Sequence, residues 1–432
     1  MNEIRPPTAL PQALLDQADM RAAITGHDFG TVFRLARELG NISYSKIAAE
    51  CDIKPERVGQ LARGQGQITT FDKIVKIADS LRIPGHLLGL APRYWEVPAA
   101  PGGAEYGESV RRRDFLKKTS LTAGAAIGLN KITDAPMAGS RLGPEAPDYL
   151  RRRTARLRRL DDVLGGGDTY RVYLAEYQST KALLRDRTYS LATGRALRSV
   201  LAEQGLQAGW AAFDAGKPDD ARGLYLEAQQ AAQDADDRAL AGNALAFLAY
   251  QHPDRHQAVA LAEASCRIAA DDQPGEVRAL LHERYAWSCA LAGRALETEQ
   301  ALETAASAIA ELDQPTVDWA AWVDTDELDI MRGRCWTELR RPLRAVPVLE
   351  GVLDRFKDSH ARDKSLYMSW LAQSYLAAGE IEQAATVTSR ALTLCTGVAS
   401  VRPRRRLDTV LHELSSHAGV PEVRDALERA RS

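Results

Sequence analysis

The stretch SYSKIAAECDIKPERVGQLARGQGQ, residues 43–67, contains two short helical patterns separated by a break. Ser43 is a residue type that caps helix N-termini, because its hydroxyl accepts a hydrogen bond from a free backbone N–H. Asp52 stands at the break and tolerates a left-handed backbone better than most residues. Pro55 fits the first turn of the next helix, where its missing N–H costs no hydrogen bond. The stretch therefore predicts a helix, a turn and a second helix.

The apolar residues of this stretch recur at spacings that place them on one side of each predicted helix. Ile47 and Ala48 share a face of the first helix, and Ala48 is small enough for another helix to cross closely. In the second helix, spacings of three and four residues predict that Val58, Leu61 and Ala62 are buried. Polar side chains occupy the opposite face of the second helix. They are Glu56, Arg57, Gln60 and Arg63.

That polar face carries the residue types that read base edges in the major groove of DNA. Arg and Gln can make paired hydrogen bonds to guanine and adenine, and Glu can accept one from cytosine. The alternative interpretation is a helical bundle that makes protein contacts alone. The sequence predicts DNA contacts from seven residues. They are Ser43, Tyr44, Lys54, Glu56, Arg57, Gln60 and Arg63.

Length and composition predict the fold class and the domain organisation of the whole chain. At 432 residues the chain is too long for one core. Only 6% of its residues are aromatic, and the Ala- and Leu-rich second half favours helix over sheet. We predict an all-α protein, in which a linker joins a small N-terminal helix-turn-helix bundle to an α-solenoid. Its parts are a lead-in at 1–27, a DNA-binding domain at 28–95, a linker with a basic segment at 96–145 and a helical repeat domain at 146–432.

Charge is distributed unevenly behind the net value of −2. Residues 28–95 carry an excess of three positive charges and residues 101–160 an excess of seven. Residues 161–432 carry an excess of ten negative charges. A basic N-terminal part and an acidic C-terminal part suit a chain whose N-terminal part binds the phosphates of a nucleic acid.

Residues 146–432 repeat a layout of two helices joined at a turn residue, with a small residue five positions later. The turns fall near Gly216, Pro253, Gly293, Arg340 and Gly379, and the small or compact residues are Ala221, Ala258, Thr298, Ala345 and Ala384. The turns recur at intervals of 37–47 residues. A single helix pair cannot bury its apolar side alone, so stacked pairs are predicted to share one continuous core.

The first helices of these pairs carry aromatic residues mixed with Asn, Arg and Gln. Such a mixture suits a groove for a peptide or small molecule, although aromatics at helical spacing also serve ordinary packing between repeats. The sequence predicts effector contacts from nine residues. They are Trp210, Phe213, Asn243, Phe247, Tyr250, Glu283, Trp287, Arg334 and Gln373.

Several other signals bear on location and chemistry. Arg112-Arg113 and the residues after them match a twin-arginine export pattern, although a DNA-binding domain would precede it. A basic linker segment near DNA phosphates is the other interpretation. Five scattered cysteines and the lack of an apolar run of about 20 residues favour the cytoplasm. No cluster of residues predicts catalysis, a metal site or a cofactor, so we expect no enzyme.

The N-terminal pattern resembles the xenobiotic-response-element/Cro-like helix-turn-helix family. The matching residues are Ile47, Ala48, Ile53, Val58 and Leu61, followed by IVKIADSLRIPGHLLGL at 74–90. The chain differs from the family where the first helix begins with Ser43-Tyr44 rather than Thr-Gln, and where Asp52 replaces the usual Gly.

The two-part layout resembles actinobacterial regulators that couple such a domain to tetratricopeptide-like repeats. DYLRRRTARLRRLDDVLGGGDTY at 148–170 and AGWAAFDAG at 208–216 carry this resemblance. The first repeat also has Gly209, Ala221 and Tyr225 at tetratricopeptide positions. The resemblance implies a homodimeric transcriptional regulator that binds double-stranded DNA and a peptide, small-molecule or protein effector. The alternatives are a tetratricopeptide-like interaction scaffold and a twin-arginine-targeted or tethered protein.

Overall fold

The structure, a computed structural model, describes most of the chain, and helices are the only extended secondary structure in the described part. The described residues are 6, 8–66, 68, 71–88, 93, 95–96, 141–164, 166–269, 273–312, 316–356, 360–396 and 398–431. They contain twenty α-helices and no β-strand, as the predicted all-α class requires. Most of the predicted linker, with Arg112-Arg113, lies outside them. The chain divides into two compact units, a first unit of residues 1–164 and 171–189 and a second unit of residues 165–170 and 190–432.

The first unit begins with six short helices. These are α1 (Gln12–Leu15), α2 (Ala18–Thr25), α3 (Phe29–Glu38), α4 (Tyr44–Cys51), α5 (Pro55–Ala62) and α6 (Phe71–Leu81). Two longer helices follow the linker. These are α7 (Glu145–Leu164) and α8 (Gly166–Asp186), of which α8 belongs to the second unit in its first turn and to the first unit thereafter.

Helix α5 lies in the middle of the N-terminal bundle, in contact with both α3 and α4. The approach to α3 is close because Gly30 has no side chain: a Cβ atom there would stand 2.2 Å from the carbonyl oxygen of Leu61. Ile47 and Val58 are buried between the helices, as their spacing predicts. The lead-in also contributes, since Met20 of α2 is buried. One side of α5 thus packs tightly against α3 and α4, and its other side faces away from the bundle.

The second unit is built mainly from six pairs of helices. The first helices of the pairs are α9 (Leu191–Asp214), α11 (Arg238–Gln251), α13 (Gly275–Leu291), α15 (Thr325–Glu338), α17 (Ala361–Ala378) and α19 (Arg402–Leu414). The second helices are α10 (Pro218–Asp234), α12 (Arg255–Ala269), α14 (Ala295–Ala310), α16 (Pro342–Arg355), α18 (Ile381–Cys395) and α20 (Pro421–Arg429). Each helix packs on the next, and each first helix also contacts the first helix of the following pair.

Turns and small residues within the pairs agree with the sequence prediction. Gly216, Gly293 and Gly379 have the left-handed φ angles of 81°, 74° and 85° that glycine adopts without strain. Arg340 occupies the same place in the fourth pair with a φ of 56°. The five small or compact residues predicted after the turns are buried, which lets the two helices of each pair approach closely. They are Ala221, Ala258, Thr298, Ala345 and Ala384.

The last pair returns to the first at the buried side chain of Asp214, at the end of α9. The backbone N–H of Val401 donates to the Asp214 carbonyl oxygen over 3.0 Å, and the Ser400 hydroxyl donates to its carboxylate over 2.7 Å. The N–H of Gly166 donates to the other carboxylate oxygen over 2.8 Å. This contact brings the start of α19 against the end of α9. No helix of the described part is both long and apolar enough to span a bilayer.

Candidate functional site

The predicted DNA-binding and effector-binding residues lie in two regions of the structure. The first region is the α4–α5 turn. The Ser43 hydroxyl accepts a hydrogen bond from the N–H of Lys46 over 3.3 Å and so caps α4. Asp52 ends α4 in the left-handed region, with φ 53° and ψ 51°. Pro55 begins α5. The cap, the turn and the helix start predicted from local sequence are therefore all confirmed.

Along the outward side of α5, the predicted DNA contacts are exposed in different degrees. Glu56, Gln60 and Arg63 recur at spacings of four and three residues and are exposed together along one stripe. Lys54 is exposed just before the helix. Arg57 is half-buried, because its guanidinium folds back and donates to the carbonyl oxygen of Gln65 over 3.4 Å.

Tyr44 departs from this exposed pattern. It is half-buried, and the guanidinium carbon of Arg37 lies 4.6 Å from the centroid of its ring. A cation held against an aromatic face keeps its charge near the start of α4. Arg37 is thus a basic group beside the predicted interface that the sequence analysis missed. Ser43, whose hydroxyl is engaged in the cap, remains exposed at the same end of the helix.

The second region is the interior of the second unit, where five predicted effector residues form one aromatic group. The Trp210 ring centroid lies 5.8 Å from Phe213, 5.5 Å from Phe247 and 5.9 Å from Tyr250. Tyr250 in turn stacks on Trp287 at 6.3 Å. All but Trp287 keep part of their surface exposed. The aromatic residues of α9 and α11 therefore line an accessible surface, with the buried Trp287 of α13 packed against them.

Arg334 from α15 joins this aromatic group from the fourth pair. Its guanidinium carbon lies 4.4 Å from the ring centroids of both Trp287 and Trp370, and the residue is only 2% exposed. It donates a hydrogen bond to the Tyr250 hydroxyl oxygen over 3.0 Å. A desolvated guanidinium on aromatic faces gains about 2 kcal/mol per contact, which offsets part of its burial cost.

Two further arginines come from α19, and the sequence analysis identified neither. Arg402 lies 4.4 Å above the Trp210 ring, forms an ion pair with Asp214 at 3.6 Å and donates to the Tyr250 hydroxyl over 3.4 Å. Arg406 lies 4.3 Å above the Trp370 ring. The two are four residues apart in RPRRR at 402–406, which places them on one helix face. That spacing was the available signal, but only the tertiary fold gives it a partner.

A fourth arginine, Arg284 of α13, reaches the same tyrosine. Its guanidinium carbon lies 5.1 Å from the Tyr250 ring and 5.9 Å from the Trp322 ring, and the residue is 7% exposed. This guanidinium donates no hydrogen bond to any residue that the structure describes. We call these residues the arginine–aromatic cluster. Its members are Arg284, Arg334, Arg402, Arg406, Trp210, Phe213, Phe247, Tyr250, Trp287 and Trp370.

Tyr250 is the residue on which the positive charges act. Burial alone would raise the pKa of its hydroxyl, but Arg334, Arg402 and Arg284 lower it to about 7. Each guanidinium favours the charged phenolate over the neutral phenol, because opposite charges attract strongly where water is excluded. The cluster therefore holds a positive potential at the Tyr250 hydroxyl oxygen.

Two acidic side chains beside the cluster carry less negative charge than their type suggests. Burial raises the pKa of Glu283 well above its usual range, and the nearby Glu327 adds to the shift. Glu283 is 0% exposed, and neither carboxyl oxygen has a hydrogen-bond partner in the described part of the chain. Burial also raises the pKa of Glu327 to about 7, although Arg284 and Arg334 oppose the shift. Both shifts favour the uncharged carboxyl group, which compensates less of the arginine charge than a carboxylate would.

Two polar residues complete the predicted set. Asn243 lies one turn before Phe247 on α11; it is 6% exposed, and its amide makes no hydrogen bond with the residues described. Gln373 accepts a hydrogen bond from Arg406 over 2.6 Å. The structure thus brings eight of the nine predicted effector residues to the cluster or its immediate neighbours, and Glu283 lies fully buried behind it.

Comparison with protein-family models finds no match for this chain. Comparison with curated proteins also finds none. Within the described residues, no three His, Cys, Asp or Glu side chains come together in a way that could hold a metal ion.

Proposed function

We propose that this protein is a sequence-specific DNA-binding transcriptional regulator, in which α4 and α5 act as a helix-turn-helix and α5 enters the major groove. The observation that carries the proposal is the left-handed Asp52 turn between two short helices, together with the exposed stripe on the second of them. A recognition helix needs this combination of a buried side that fixes its angle and a polar side that is free of the bundle.

Each exposed residue of α5 fits a contact of a particular kind. Gln60 in mid-helix can pair with an adenine edge, and Glu56 can accept from cytosine. Arg63 can pair with guanine or a phosphate oxygen. Lys54 and the start of α4, with its Ser43 cap, suit phosphate contacts that fix the position of the protein on the duplex.

The second unit fits a tetratricopeptide-like sensing domain in the same proposal. Four of its six helix pairs have a left-handed turn residue, five have a buried small or compact residue after the turn, and each first helix contacts the first helix of the following pair. In this proposal the arginine–aromatic cluster binds the effector. We further propose a cytoplasmic homodimer, whose two-fold symmetry would match half-sites about one helical turn of DNA apart.

Selection from random duplex DNA followed by footprinting tests the proposal with the full chain. We expect enrichment of a sequence motif, and we expect Gln60→Ala to lose its preference at one position by roughly 5- to 150-fold, the value of one good paired contact. Gln12→Ala provides a matched control, because Gln12 is also exposed in the bundle but lies on α1. A protein that enriches no motif, or a Gln60→Ala variant with unchanged preference, contradicts the proposed reading of α5.

A further inference from the structure

We propose that the arginine–aromatic cluster binds a small ligand that carries an oxyanion, phosphate or carboxylate, on a flat ring. This inference names the effector class of the proposed regulator and in that sense rests on the proposed function. The binding itself requires only the second unit, so it can succeed or fail independently of DNA recognition.

Two of the cluster's four arginines have an ion-pair partner, and two have none among the described residues. Arg402 is paired with Asp214 at 3.6 Å, and Arg406 with Glu338 at 3.5 Å. Neither Arg284 nor Arg334 forms an ion pair with a carboxylate among the described residues, although both are at least nine-tenths buried. The Nε of Arg334 is buried without a hydrogen-bond partner there. Buried charges are normally paired and hydrogen-bonded, so these guanidinium groups call for an anion.

The Tyr250 hydroxyl oxygen accepts hydrogen bonds from both Arg334 and Arg402. From the helices packed around it, the charged groups that act on Tyr250 are Arg284 on α13, Arg334 on α15, and Arg402 and Arg406 on α19, while α9 contributes the uncharged Trp210 and Phe213. Tyr225 on α10 lies close by and is also uncharged. As a phenolate, Tyr250 is a weak oxyanion at the focus of three guanidinium groups. A phosphate or carboxylate would satisfy the same donors with more acceptor atoms.

The flat ring of the proposed ligand has partners of its own beside Tyr250. Trp210, Phe213 and Phe247 keep exposed surface next to Tyr250, which gives a stacking surface for a planar ring. Asn243, one helical turn from Phe247, has an amide without a hydrogen-bond partner among the described residues. That amide can donate to or accept from a polar ring edge. The anion and the ring therefore have separate partners within one surface.

Calorimetric binding to the full chain tests the proposal with four probes: AMP, indole-3-carboxylate, adenosine and inorganic phosphate. We expect saturable binding of AMP or indole-3-carboxylate, with the stronger of the two identifying a phosphate or a carboxylate as the natural group. Adenosine lacks the charge and inorganic phosphate lacks the ring, so each should bind at least about tenfold more weakly than AMP. The proposal is overturned if neither ring-bearing anion binds.

Arg284→Gln is the decisive variant, because this guanidinium makes no hydrogen bond to the described residues and its loss should leave the fold intact. We expect it to weaken binding of the ring-bearing anion by about tenfold or more. Arg344→Gln is the matched control, since Arg344 also lies over a tryptophan, Trp336 at 4.0 Å, but on α16. Equal affinities of the two variants would refute the assignment.

Proton linkage gives a second readout that a merely structural cluster would not produce. A bound anion competes with the phenolate for the guanidinium groups, so it should raise the pKa of Tyr250. With indole-3-carboxylate, whose carboxylate is already ionised above pH 6, we expect binding to take up more protons at about pH 8 than at about pH 6. Tyr250→Phe should reduce this uptake, and any uptake that remains belongs to Glu327, whose pKa Arg284 and Arg334 also lower. A tyrosine absorbance transition that a saturating probe leaves unmoved overturns the proposal.

Motif selection on the same preparation, without probe, separates the two proposals. Anion binding without an enriched DNA motif would support the proposed anion site and contradict the proposed DNA-binding regulator. An enriched motif without anion binding would support the regulator and contradict the anion site.

Discussion

Arginine serves opposite physical purposes on α5 and in the arginine–aromatic cluster. Arg63 is exposed at the end of a short helix, where salt screens its charge and its only requirement is to be free. Arg334 is buried with its guanidinium against two tryptophan rings, and it lowers the pKa of the neighbouring Tyr250. The first arrangement suits a polyanionic partner such as DNA, whose phosphates meet the protein at its surface. The second suits one that brings a single charge into the interior.

This difference implies that the two regions can be damaged separately, and the largest effect should come from Gly30→Ala. The added Cβ would meet the backbone oxygen of Leu61 at 2.2 Å, and a backbone atom cannot rotate away. We expect the N-terminal bundle to lose about 3 kcal/mol of stability in denaturant unfolding, with loss of DNA binding. Anion binding by the cluster should be unchanged.

Gly59→Ala is the control for that change, because its Cβ on α5 would meet only the end of the Arg63 side chain at 3.5 Å. Removing a helical glycine in open space should stabilise the bundle by about 0.5–1 kcal/mol. Comparable destabilisation by both substitutions would contradict the close α3–α5 approach.

Salt dependence should sharpen the contrast between the two kinds of arginine. Arg63→Ala should weaken DNA binding by about tenfold and reduce the slope of log affinity against log salt by about one, as expected when one phosphate contact is lost. Arg284→Ala should leave that slope unchanged, because its charge is buried. Measuring binding isotherms over a range of salt concentrations checks both, and an equal change in slope would be inconsistent with this division of roles.

The pH dependence of stability should report on the interior alone. The folded pKa of Tyr250 is about 7, well below the value of an unfolded tyrosine near 10. An acid with a lowered folded pKa stabilises the fold above the unfolded pKa, and the gain is lost as pH falls through the folded pKa. The second unit of the wild type should therefore gain stability relative to Tyr250→Phe between about pH 7 and pH 10, as thermal unfolding would measure.

Glu327 gives the opposite sign in a lower range of pH. Its folded pKa is raised to about 7, so its ionisation destabilises the fold as pH rises from its unfolded value of about 4.3. Glu327→Gln should flatten that decline and leave the rise above pH 7 in place. A single pH profile shared by Tyr250→Phe and Glu327→Gln would argue against separate titrations.

The smallest expected effect concerns the turn of the fourth pair. Arg340 adopts a φ of 56° where three other pairs have glycine, and a side chain there costs about 1 kcal/mol. Arg340→Gly should therefore stabilise the second unit by up to about 1 kcal/mol, and Gly293→Ala should destabilise it by a similar amount. Urea unfolding of the two variants with the wild type measures both signs.

Local physics explains why much of the fold could be predicted from sequence. A cap, a left-handed turn residue and an i, i+3, i+4 spacing act within about ten residues, so Ser43, Asp52 and the buried face of α5 could be identified without the tertiary structure. The left-handed turns and buried small residues of the helix pairs follow the same logic. Five of the six aromatic residues of the cluster were also predicted, because they recur on first helices at helical spacing, whereas Trp370 was not.

Only the tertiary structure determined what those aromatics face. Arg402 meets Trp210 because the last helix pair returns to the first, and Asp214 holds that contact at a distance of almost 190 residues along the chain. Glu283, which the sequence predicts as an effector contact, is fully buried in the structure, and Arg402 is one of the three arginines that lower the pKa of Tyr250. Charge density in an interior depends on which distant helices meet there, and no periodicity within one helix contains that information.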